Sequence, residues 1–357
     1  MINQNEEYQR FIKRAKEIIA SFPNIRTVGF GDVMLDIWWR SNVERPNPEC
    51  SKGYDLLNPR KSQSAGGAAN VAVNIGALGG KCDLVGVVGE DDNGAVLEDL
   101  MLKEKNIFFA AVRDVARPTT SKTRFYSEKG IARISIESLA DVDVAIAEKC
   151  IEAIKSSEER SAGLWVEDYG KGTIQKETVD YLVELVHSHP KMPVVFDPKI
   201  GHGTFYRAGM CSVFKPNWSE ACDLLKLDPK TADRTEVVKK LSEKFDCDVL
   251  VTLGGDGSIV YERDTGKTTV IPTRSAKDRD VTGAGDTIVG TLTPALATGM
   301  SLVEATILAN CAAGVVVRKE GTASASPQEL ISELERNETQ IVIEQLIRDG
   351  CLMFAQG

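Results

Sequence analysis

Residues 278–290 read DRDVTGAGDTIVG. Thr282, Gly283, Ala284 and Gly285 are small, and an apolar run follows Asp286. A helix that starts on such a turn presents its first backbone N–H groups outward, with the positive end of its dipole behind them. That is a cradle for an anion. Asp286, in the first turn, would stand beside a bound phosphoryl group and could take a proton from an attacking hydroxyl. Phosphoryl transfer asks mainly for positioning and charge stabilisation, and this loop offers both. A glycine turn with an acidic helix cap accounts for the same residues without chemistry.

Two further clusters bear polar groups on glycine-rich turns. In AGGAANVAVNIGALGG (65–80), Gly66 and Gly67 precede Asn70, and an apolar helical pattern follows. Glycines let a sugar approach the backbone, and an amide at a helix start can bind hydroxyls. A plain strand-to-helix turn explains this stretch equally well. In GFGDVMLDIWW (29–39), Asp32 and Asp36 lie just past an apolar run, where carboxylates could accept from vicinal diols or simply be solvated.

These clusters need a frame. Short β-branched segments recur at 25–30, 82–89, 163–168, 193–197, 248–255 and 257–262, separated by helical patterns at 67–79, 92–105, 142–158, 174–188 and 235–246. Such alternation predicts an α/β fold with a mostly parallel, doubly wound sheet flanked by helices. Ligands of such sheets gather beyond the carboxyl ends of the strands, which here are the loops after 30, 168, 197, 253 and 280. Residues 38–64 are polar and Pro-rich, and 107–137 reads as successive strands with no helix between them. Together they are expected to form a small antiparallel β lid, with lid segments about 37–64 and 107–137. A helical extension over 1–24, with Phe11, Ala15, Ile18, Ile19 and Phe22 on one face, precedes the α/β domain of 25–330. A helical tail over 331–357 follows it.

Composition narrows the partners. Lys and Arg number 43 against 52 Asp and Glu, a net charge of -9, which speaks against nucleic acid. No apolar leader or membrane span is visible, and eight cysteines without a C-x-x-C pair read as reduced, buried thiols, so a cytoplasmic location is expected.

In this order the clusters resemble the PfkB family of carbohydrate kinases, of ribokinase-like fold. GGAAN (66–70) is similar to its N-terminal signature and DVTGAGD (280–286) to its C-terminal one, with Thr291 where that family usually has Gly or Ala. EDYGKG (167–172) looks like the D-Y-x-K-G of the family's heptose-phosphate branch. FDPK (196–199) and FKPNWSEA (214–221) look like its D-P-K and P-N-x-x-E. VTLGGDGSIVYE (251–262) and ANCAAGVVVRKEGTASAS (309–326) look like the segments around the nucleotide.

The resemblance implies an ATP- and Mg²⁺-dependent kinase acting on a sugar or sugar phosphate. Asp286 would be the catalytic base, and the amides of Gly283, Ala284 and Gly285 would hold the γ-phosphate. Asp32, Asp36, Gly66, Gly67, Asn70 and Asp168 would bind the sugar. Thr252, Gly254, Gly257 and Asn310 would line the ATP pocket, with Lys199, Asn217 and Glu220 near the phosphates and Mg²⁺ held through water by Glu220. The heptose-phosphate branch implies transfer to C1 of D-glycero-D-manno-heptose 7-phosphate, giving the 1,7-bisphosphate for nucleotide-activated heptose and lipopolysaccharide. Activation to the nucleotide sugar is expected on another polypeptide, since the chain ends at Gly357. A substrate phosphate needs cations, and Lys122, Arg124, Arg133 and Lys171 could supply them. Lys122 and Arg124, two apart on a strand, share a face. A solvated lid edge would use the same lysines.

Against that branch, residues 41–64 are longer and more polar, and Ile134-Ser135-Ile136 replace an acid near the sugar. Lid strands of this family often pair between subunits, which implies a homodimer through the lid. Another sugar or nucleoside kinase of the same fold, or a sugar-binding module without turnover, stays open. A dinucleotide-binding dehydrogenase is a weaker third reading, because no G-x-G-x-x-G follows the first strand.

Overall fold

The computed structural model describes residues 4–49, 53–127, 130–199, 201, 205–273, 283–319 and 321–352. The first apolar run forms β1 (Arg26–Gly31), and after one residue the chain enters β2 (Val33–Arg40). Within the polar stretch, β3 (Glu44–Pro46) and β4 (Tyr54–Leu56) make a short hairpin, and β5 (Arg60–Gly67) returns antiparallel to β2. Next come β6 (Lys81–Val88), β7 (Ile107–Arg113), β8 (Ser121–Ser127) and β9 (Gly130–Ile136). The remaining strands are β10 (Gly163–Glu167), β11 (Val194–Asp197), β12 (Val213–Phe214), β13 (Asp248–Thr252), β14 (Ser258–Glu262) and β15 (Lys267–Ile271).

The main sheet runs β15-β14-β13-β12-β11-β10-β1-β6-β7. Pairings from β7 across to β13 are all parallel, and β14 and β15 add an antiparallel hairpin at one edge. Its central strands β1, β6, β10 and β11 are buried on both faces, hence their continuous apolar runs. One face is covered by helices that include Gln4–Ser21, Ala68–Ala77, Ala284–Ala297 and Leu302–Val316. The other is covered by Val144–Glu158, Lys176–Ser188 and Arg234–Phe245. The Gln4–Ser21 helix packs on the Asn337–Arg348 helix, and Lys16 pairs with Glu335 at 2.5 Å, so the two ends of the chain form one layer. Strand order reverses between β1 and β10, and a crevice at the carboxyl ends of those two strands is the expected ligand position.

The second sheet runs β5-β2-β8-β9. Two expectations are corrected here. The second lid segment begins at Ser121, not at 107, because β7 lies in the main sheet in parallel register with β6, from Cys82↔Ile107 to Val88↔Arg113. The Asp92–Leu102 helix supplies the crossover, and β7 is an edge strand with Phe108 59% exposed, so its pattern imitates a hairpin strand. The lid is also not purely antiparallel: β2 and β8 are parallel, Asp36 lying beside Lys122. Strands β12 and β15 escaped the sequence reading, the first for its two-residue length.

Candidate active site

Gly283 caps the Ala284–Ala297 helix with φ +80°, a conformation that disfavours any side chain, and a Cβ there would lie 2.9 Å from Asn70 Nδ2. The Thr287 N–H donates to Gly283 O, so the amides of Ala284, Gly285 and Asp286 precede the helical ladder. Residues 278–282 of the motif lie outside the described residues.

Asp286 is only 4% exposed. Asn70 Nδ2 donates to its Oδ2 at 2.6 Å, and the Tyr169 hydroxyl donates to its Oδ1 at 2.8 Å. Burial raises the carboxyl above its ordinary range, and the bonds from Asn70 and Tyr169, with the charge of Lys215, pull it back. Burial, followed by the charge of Asp286, pushes the Tyr169 phenol well up, so it remains a proton donor. The arrangement is an oriented carboxylate whose two donors stand where an alcohol would bind.

The other acids have different employment. Asp32, directly after β1, accepts from the backbone N–H groups of Tyr169 at 2.8 Å, Lys171 at 3.0 Å and Thr173 at 3.3 Å. It shapes the 168–173 loop. Burial and then the neighbouring Asp168 raise its carboxyl, against those bonds. Asp168 accepts from Gly170 N–H at 2.7 Å and from the Tyr206 hydroxyl at 2.6 Å. Asp36 pairs with Arg124 at 2.6 Å, and a Cβ on Gly66 would come within 2.5 Å of Asp36 Oδ2. Gly67 has φ +58° and begins the helix that carries Asn70; a Cβ there would meet Asp32 O at 2.4 Å.

Of the expected cations, Lys122 and Lys199 approach the Tyr169 ring, their Nζ atoms 5.0 and 5.9 Å from its centroid. Burial lowers the Lys122 ammonium, which nearby Asp36 partly counters. Lys171 pairs with Glu137 at 3.0 Å. Arg124 is held by Asp36 and lies 4.5 Å over the Trp38 ring. Arg133 sits opposite Arg124 in register but is exposed.

Sequence reasoning missed the support behind the helix start. Lys215, fully buried at the end of β12, pairs with Asp197 at 2.6 Å. A Cβ on Gly285 would be 3.9 Å from both Lys215 Nζ and Asp197 Oδ2. Burial pushes Asp197 up to about 6 despite Lys215, and it pushes the adjoining Glu167 well above its ordinary range. Lys215 thus favours the ionised form of Asp197, while burial and the charge of Asp197 favour the protonated form of Glu167. Tyr169 was missed too. Its signal was position, between Asp168 and Lys171 in EDYGKG; that of Lys215 was a charge closing an apolar strand in VFKPN.

Where the nucleotide is expected, Asn217 and Glu220 close a capping box: Glu220 N–H donates to Asn217 Oδ1 at 3.0 Å, and Asn217 N–H to Glu220 Oε2 at 2.9 Å. Lys199 approaches Glu220 Oε1 at 3.6 Å. Among the described residues no cluster of three His, Cys, Asp or Glu could hold a metal. Thr252 bridges to Asn217, Gly254 and Gly257 turn the chain into β14, and Ser258 donates to Asn310 Oδ1 at 2.8 Å. Asn310 lines a cavity of about 230 Å³ with Ile271, Thr273 and Gly314, room for part of a nucleotide.

Residues 28–329 match the model of the pfkB family carbohydrate kinases. "Bifunctional protein HldE" of Rhodospirillum rubrum is 34% identical over 326 residues, covering 90% of this chain and 64% of that protein. The Pseudomonas aeruginosa protein of the same name is 35% identical, covering 86% and 63%. The chain thus spans less than two thirds of the length of these curated relatives. Arabidopsis thaliana ribokinase, solved with ribose and ATP, is 19% identical with a TM-score of 0.65, covering 88% of this chain and 99% of its own. No helix among the described residues is long and apolar enough to cross a membrane. With the signature loop, its acid and nearly all of the main sheet inside the matched span, the chain belongs to the pfkB family and is an ATP-dependent carbohydrate kinase.

Proposed function

We propose that this kinase phosphorylates C1 of D-glycero-D-manno-heptose 7-phosphate. The observation that carries the reading is Tyr169: its hydroxyl meets the base Asp286 while its ring lies against Lys122 and Lys199. A proton acceptor and two ammonium groups thus share one side chain. That suits a sugar that is an alcohol at one end and an anion at the other. The relatives named as bifunctional HldE proteins support the same substrate.

When bound, ATP supplies the phosphoryl group and Mg²⁺ offsets its charge. The chain's own residues do the rest. Asp286 accepts the proton of the C1 hydroxyl once that hydroxyl displaces one of its present donors. Asn70 holds the carboxylate's other oxygen. The amides of Ala284 and Gly285, at the positive end of their helix, face the developing charge. Asp32 and Asp168 fix the loop that presents Tyr169 and Lys171. We assign the product to nucleotide-activated heptose synthesis, the location to the cytoplasm and the assembly to a homodimer through the lid sheet, whose edge strand β9 exposes Ile134 and Ile136.

A coupled assay with the heptose 7-phosphate, ATP and Mg²⁺ tests this, with unphosphorylated hexoses and ribose in parallel. Turnover with the heptose phosphate and a 1,7-bisphosphate product are expected. Turnover confined to unphosphorylated sugars would overturn the substrate while leaving the kinase.

A further inference from the structure

The cavity beside Asn310 has two walls of different origin. Ile271, Pro272, Ile307 and Gly314 belong to the portion that matches the family, residues 28–329. Glu333, Arg336, Glu338, Thr339 and Val342 close the other side and lie beyond it. The rim is an ion-pair chain. Glu333 accepts from Arg318 NH1 at 3.0 Å and from Arg336 NH1 at 3.2 Å, and Arg336 Nε lies 3.6 Å from Glu338. Two guanidinium groups against two carboxylates leave no net charge, so this is not a phosphate subsite. The rest of the lining mixes aliphatic Ile271, Ile307 and Val342 with the polar groups of Thr273, Asn310 and Thr339. At about 230 Å³ the space falls short of the roughly 300–1,000 Å³ of pockets for whole drug-sized ligands. A slot with no net charge, aliphatic surface, a few hydrogen-bonding groups and planar cations at its edge suits a flat heteroaromatic ring.

We propose that Arg336 and the Asn337–Arg348 helix form the outer wall of the subsite for the purine base of ATP, with the Arg336 guanidinium, aligned by Glu333 and Glu338, stacked on the ring. The proposal rests on reading Asn310 as a nucleotide residue. It assigns to a segment outside the family match a share of nucleotide affinity, and it gives the packing of the two chain ends a role in binding.

The test is calorimetric titration of the full chain with Mg²⁺ and a non-hydrolysable ATP analogue, so that turnover plays no part. Arg336→Ala, at a side chain 45% exposed, should weaken binding about 3- to 10-fold. Arg336→Lys should not restore it, because an ammonium has no plane to stack. Thr339→Trp, which fills the slot, should weaken it further, and the KM for sugar should stay put in all three. Binding within twofold of the parent in both Arg336→Ala and Thr339→Trp overturns the proposal. If Asn310→Leu weakens binding in that case, the nucleotide reading stands without this wall. A parent protein that does not bind the analogue overturns both.

Discussion

The carboxyl end of the main sheet and the lid sheet handle charge in opposite ways. At the main sheet, Asp286, Asp197, Glu167 and Lys215 are all nearly or fully buried and stand within one short network, the last three at the ends of parallel strands and Asp286 in the first turn of its helix. On the lid, cations ride on long side chains over ring faces, with Arg133 in solvent. Removing a charge from water costs free energy unless a partner is fixed beside it, so the buried set can change little without collapse. Within the lid, Arg124, held by Asp36 at 2.6 Å, carries a comparable penalty, whereas exposed Arg133 can be exchanged cheaply. On the proposed reading, the base belongs to the costly set and the grip on the sugar phosphate to the lid.

The sharpest way to break this contrast is at the base. Asp286→Asn should lower kcat by about 10²- to 10⁴-fold, read in a steady-state assay, with ATP affinity nearly unchanged. A variant with parental kcat would move the base elsewhere. Next is the lysine behind it. Lys215→Met leaves Asp197 buried without its counter-ion, and a loss of about 3–5 kcal/mol in stability is expected from chemical denaturation. An unchanged midpoint would mean that the pair lies in water and that the two regions do not differ.

Tyr169→Phe joins the regions, since that residue touches both. Its hydroxyl lowers the Asp286 carboxyl, so its loss should raise it. A base works only when ionised, and the acid limb of the kcat profile should therefore move to higher pH, with kcat down about tenfold at neutral pH. A purely packing role would leave the limb in place. Lys122→Ala should raise the KM for a phosphorylated sugar by about 5- to 10-fold and spare unphosphorylated ones. Smallest is Arg133→Ala, expected within about twofold of the parent on every substrate, as an exposed charge.

The same contrast explains what the sequence could tell. Asp286 and its glycine turn were readable because the chemistry is local: an acid, a positive-φ glycine and a helix start within a few residues. The parallel sheet was readable from its apolar runs. Roles that depend on register or on distant partners were not. Asp32 and Asp168 read as sugar ligands, and that their oxygens accept backbone amides of the 168–173 loop was not legible, since nothing in a run of letters says which amides will turn toward a carboxylate. Arg124 looked like a phosphate grip, and its pairing with Asp36 became visible only once β2 and β8 lay side by side. Ile107–Arg113 has the alternation of a hairpin strand, and only its neighbour β6 decides otherwise.

One connection carries a consequence of its own. Strand β2 leaves the main sheet directly after Asp32, and β5 comes back to end on Gly66 and Gly67, just ahead of Asn70. The flap thus has no slack tether; its two struts are the masonry of the pocket floor. A tilt of the flap would therefore carry Gly66, Gly67 and Asn70 with it, and with Asn70 the amide that donates to Asp286.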